Sequence, residues 1–182
     1  AKPHNPRVFL RGNPGSKGEA VPRRFVAVLS GKEREPFGGG SGRLEMARAI
    51  ADPKNPLTAR VMVNRVWQRL FGSGLVTTPS DFGVRAEPPS HPRLLDFLAA
   101  DFVETGWSVK ALIHGIVTSS TYCQGESSQP EYAGRDPDNR LLWQMNRKRL
   151  DFEAMRDSVL SVSGSLSLQQ GGRSVRIDDK PE

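Results

Sequence analysis

The sequence predicts a mainly α fold: an irregular packing of several helices joined by long structured loops, with at most a small β element at the N-terminus. Three observations predict it. Apolar residues recur at helical spacing in five stretches, most clearly within NPLTARVMVNRVWQRLFGSGL, residues 55–75. Fourteen prolines and eighteen glycines among 182 residues give much of the chain to connections. The β-favouring runs are short and concentrated in RVFLRGNPGSKGEAVPRRFVAVL near the start.

In chain order, Val8–Arg11 and Phe25–Leu29 are expected as brief strands, Pro22 making the second an edge or an extended arm. PFGGGSGR follows as a flexible link. Ser41 is expected to cap a helix running to about Ala51, with Leu44, Ala47, Ile50 and Ala51 at helical spacing. Asn55 then Pro56 start the next helix and Gly72 stops it. Ala59, Met62, Val63, Val66, Trp67 and Leu70 form one broad face of that helix. Arg60, Asn64 and Gln68 form a polar file on the other side, bordered by Leu57 and Val61, so the helix is expected to be central.

Ser90 is expected to cap a helix carrying Leu94, Leu95, Leu98, Phe102 and Val103, ended by Gly106; Ser108 caps another that runs to about Ser120. GESSQPEYAGRDPDN reads as a polar, mobile connection. Leu141–Met145 reads as a short apolar helix or strand. Asp151 opens a last helix with Phe152, Met155, Val159, Leu160 and Val162 turned inward and Gly164 after it. The connections around 72–90 and 124–140 are too long for an up-and-down bundle. The expected organisation is an N-terminal arm with a glycine-rich link over 1–40, a helical core over 41–164 and a tail over 165–182.

Composition bounds the function. A chain of this length buries enough surface to fold without disulfide or metal. Nineteen of its 26 basic residues are arginine, whose planar fork suits carboxylate, phosphate and sulfate. Codon preference and surface solvation account for the same bias, and no block of five or six like charges occurs. A single cysteine, Cys123, rules out an internal disulfide and a thiolate metal cluster. No apolar run of about 18 residues is present, so no membrane span is expected.

Short motifs add little. Asp81–Gly83 spells DFG, but no HRD-type loop, glycine-rich nucleotide loop or VAIK-like lysine accompanies it. GGGSGR lacks the Walker lysine. His4, His91 and His114 stand in no paired metal-ligand spacing, and CxxCH, needed to attach haem, is missing from the segment. Glu153 and Asp157 lie four apart on one helix face, where Lys148, Arg149 and Arg156 favour a solvated salt-bridge network over acid–base chemistry. QMNRKRL and NRVWQRL combine Arg and Asn with an aromatic nearby, without any complete nucleic-acid-binding signature.

The long string from Asn55 to Gln124, NPLTARVMVNRVWQRLFGSGLVTTPSDFGVRAEPPSHPRLLDFLAADFVETGWSVKALIHGIVTSSTYCQ, resembles the core of the planctomycete PSD domain, type one. RVFLRGNPGSKGEAVPRRFVAVL resembles its opening, and DPDNRLLWQMNRKRLDFEAMRDSVLSVSGSL its closing helix. The resemblance implies a carboxy-terminal module of a large secreted or envelope protein, following a cytochrome c-like domain, with any haem upstream and none in this segment. It implies the periplasm or cell surface, where an unpaired Cys123 is expected to be buried. It supplies no catalytic residue, because the family has no agreed activity.

The leading expectation is therefore a non-catalytic structural or interaction module whose partners are other domains of its parent protein. Arg60, Asn64 and Gln68 would bind loop carbonyls and carboxylates such as Asp81. The competing expectation is part of an enzyme or binding module acting on anionic, sulfated polysaccharide. There Arg65, Arg147 and Arg149 would grip the anion, with Asp81, His91 or Glu153 as acid or base. Nucleic-acid binding is a third, predicting a continuous basic face and steep salt dependence.

Overall fold

The structure, a computed structural model, describes residues 3–31, 34–125, 129–169 and 171. It is mainly α, with one small sheet. Strand β1 (Arg7–Phe9) pairs antiparallel with β2 (Lys17–Ala20), Arg7 opposite Ala20 and Phe9 opposite Lys17, with a register irregularity between. The hairpin closes over a 3₁₀ turn at Leu10–Gly12. Leu10 N–H donates to Ser16 O at 2.9 Å, and Asn13 Oδ1 accepts from Gly15 N–H at 2.8 Å.

The partner of the first strand is thus the stretch just after the turn. Phe25–Leu29, expected as a strand, instead leads into a one-turn helix, α1 (Ala27–Ser30). Val26 O accepts from the backbone N–H and the hydroxyl of Ser30, satisfying locally the groups a strand would have offered to a neighbour.

Helix α2 (Arg43–Ile50) begins at Gly42, whose φ of 77° only glycine adopts freely, rather than at a Ser41 side-chain cap. Glu45 reaches back to the Gly39 N–H and orders the glycine-rich link. Helix α3 (Thr58–Phe71) ends as expected at Gly72, which is left-handed and donates its N–H to Gln68 O. Its buried line is Ala59, Val63, Asn64, Trp67 and Phe71, while Met62, expected inside, is 42% exposed.

Helix α4 (Pro92–Glu104) buries Leu95, Ala99 and Phe102 against α3, and α5 (Val109–Val117) buries Leu112 and Ile116. The α4 cap position is His91, with Pro92 in the first turn and no side-chain cap; Ser90 stands one residue earlier. Ser108 does cap α5, accepting from Ala111 N–H at 3.2 Å. That helix stops at Val117, and Ser119 caps a separate turn, α6 (Ser120–Cys123). Cys123 is exposed, contrary to expectation.

The long polar connection contains α7 (Pro130–Arg135); residues 126–128 of it lie outside the described residues. Leu141–Met145 is neither helix nor strand but a run of turns with Leu142 at φ 56°.

Aromatic rings complete the core. Trp67 stacks on Phe71 with centroids 4.1 Å apart, Tyr122 meets Phe71 edge-on at 5.5 Å, and Trp107 meets Phe102 at 5.4 Å. The chain divides into two compact units at Asn146/Arg147. The second holds α8 (Phe152–Val162), capped by Asp151, which accepts from Ala154 N–H at 2.9 Å. Its apolar positions Phe152, Met155, Val159 and Val162, expected inward, are exposed. Helical spacing marks an apolar face but does not say what covers it.

Candidate functional site

The polar file of α3 was expected to tie loops to the helix, and asparagines on and around α3 make most of the ties found. Asn64 is fully buried at 0% exposure. Its Nδ2 donates to Val76 O at 3.0 Å and its Oδ1 accepts from Val76 N–H at 2.9 Å. One side-chain amide thus pairs with one peptide unit as a strand neighbour would, and fastens the loop after α3 to the middle of the helix. Gly74 makes room for it: a Cβ there would lie 2.5 Å from Val76 O and 2.8 Å from Asn64 Nδ2. The loop's far end is tied by Ser90 N–H donating to Leu75 O at 2.8 Å.

The two ends of α3 are held in the same way. At the start, Asn55 accepts from Leu57 N–H at 3.1 Å and donates to Ile50 O at 3.1 Å and Ala49 O at 3.4 Å. It joins the carbonyl end of α2 to the amide end of α3, meeting both sets of groups that helix termini leave open. At the other end, Asn146 Nδ2 donates to Phe71 O at 3.0 Å while its Oδ1 accepts from Asn139 Nδ2 at 2.7 Å. Asn139 is buried, holds φ 51° and also donates to Gln144 O. Asp136 steadies that loop, accepting from the N–H of Arg140 and of Leu141.

Where these loops meet Trp67 a polar cavity of about 40 Å³ remains, lined in part by Ser90, Asn139, Arg140, Leu142 and Asn146. That is room for a water or two and far too little for a sugar ring.

The sequence-selected residues separate into groups. Arg60 donates through Nε to Asp96 of α4 at 2.8 Å and through Nη1 to Pro56 O, so its carboxylate partner is Asp96 rather than Asp81. Asp81 serves its own turn, accepting from Gly83 N–H at 2.8 Å. Gln68 is half-buried, with no side-chain hydrogen bond among the described residues. Arg65 is exposed on the outer side of α3. His91 is half-buried with Nδ1 3.0 Å from Ser90 Oγ. Arg147, Arg149 and Glu153 belong to the second unit and are exposed there. Among the described residues no three His, Cys, Asp or Glu side chains gather where they could hold a metal ion, and no helix is long and apolar enough to cross a membrane.

A family model described as PSD1, protein of unknown function (DUF1553), matches residues 42–182. The chain belongs to the PSD1 family. No curated protein and no solved structure matches it. The PSD1 match opens at Gly42, the cap of α2, and takes in all four clamping asparagines, Asn55, Asn64, Asn139 and Asn146.

Sequence reasoning reached Asn64 through the apolar residues around it, and Asn55 as a helix start. Asn139 was passed over, its only local signal being the turn-forming string DPDN, and Asn146 was met only within QMNRKRL, a string that does not reveal the distant helix end it reaches.

Proposed function

We propose that this PSD1 chain is a non-catalytic structural and interaction module. The observation that carries the reading is Asn64: a fully buried amide on α3 whose donor and acceptor are both spent on the peptide unit of Val76. Asn55 and Asn146 hold backbone groups at the two ends of the helix. On this reading the buried asparagines around α3 act as internal ties, the role expected of Asn64 in the sequence. They order loops that have too little apolar content to order themselves.

A setting in the periplasm or at the cell surface, beside cytochrome c-like domains, belongs to the same proposal and rests on the resemblance of residues 55–124. The test is hydrogen exchange on such a longer protein. With the module in place, amides on a neighbouring domain should be protected, and Asn64→Ala should release that protection. An unprotected neighbour overturns the interaction role.

The polysaccharide reading is separated by thermal melts of the chain with sulfated and neutral polysaccharides. A saturable gain in Tm with the sulfated form, lost on changing Arg65 or Arg149 to Ala, would replace the present reading.

A further inference from the structure

No further inference is drawn: the strongest candidate, the groove along α3 and α4 where the Arg60–Asp96 pair divides two clefts of about 290 and 250 Å³, carries none, because Asp96 and Glu87 on its rim already pair with Arg60 and Arg140 and nothing in the structure shows what covers its apolar floor.

Discussion

Position 64 needs one donor and one acceptor on a short planar group, because Val76 presents its N–H and its C=O side by side. Asn64→Ala leaves both peptide groups buried and unmatched, and should cost about 3 kcal/mol in urea unfolding. Asn64→Asp is the sharper probe. A carboxylate still accepts from Val76 N–H but sets a second acceptor against Val76 O, so burial favours its protonated form and its folded pKa rises above the ordinary value of about 3.9. The unfolded chain then ionises while the folded chain resists. The stability gap to the parent should be smallest below about pH 4 and widen as pH climbs. A gap independent of pH would show that Asn64 is not enclosed as described. Gly74→Ala should cost about 1–3 kcal/mol by driving a methyl into the same pair, and less once Asn64 is already Ala, since the two changes break one arrangement.

At the scale of elements, helical period and end signals were enough to read α2 to α5 and α8. Gly72, Ser108 and Asp151 each mark an end where it was expected, whereas α3 begins at Thr58 with Leu57 as its cap, later than Asn55-Pro56 predicted. Three helices escaped, α1, α6 and α7, because four to six residues are too few for a 3.6-residue repeat to show; each is held by local turns and caps. The apolar face of α3 was read correctly at Ala59, Val63 and Trp67, with Val66 and Leu70 packed beside them, but not at Met62, which is exposed. Asn64 and Phe71, outside that face, are buried instead. The clamps were legible only in part, for a hydrogen bond between residues 71 and 146 leaves no periodic trace. Burial ranks the polar contacts of this helix. Asn55→Ala should cost about 1–2 kcal/mol, since it frees groups on two helix ends at once. Asp96→Asn should shift stability by less than about 0.5 kcal/mol, because the Arg60–Asp96 pair is exposed at 35% and 59% and is screened by solvent. Parallel urea titrations of the two variants read the ranking directly, and a larger loss at Asp96 reverses it.

For the whole molecule, fold class followed from composition and period. Among the described residues, every buried apolar residue lies between Ala59 and Ile116, and the half-buried residues packed around them extend to Met145. Asn146, at the end of the first unit, ties that loop to the Phe71 carbonyl of α3. Among the described residues of the second unit none is buried. A periodic apolar face such as that of α8 looks the same in sequence whether or not it enters a core. Among the described residues, those that form the core belong to the first unit. A chain ending at Leu150 should still unfold in one cooperative urea transition with a helical circular dichroism spectrum. Asn146→Ala in that shortened chain should lower its stability by about 1–2 kcal/mol, by freeing Phe71 O and Asn139 Nδ2 together. A broad, non-cooperative transition would mean that residues beyond 150 complete the core. A sharp transition indifferent to Asn146 would mean that the end of α3 is held by other contacts.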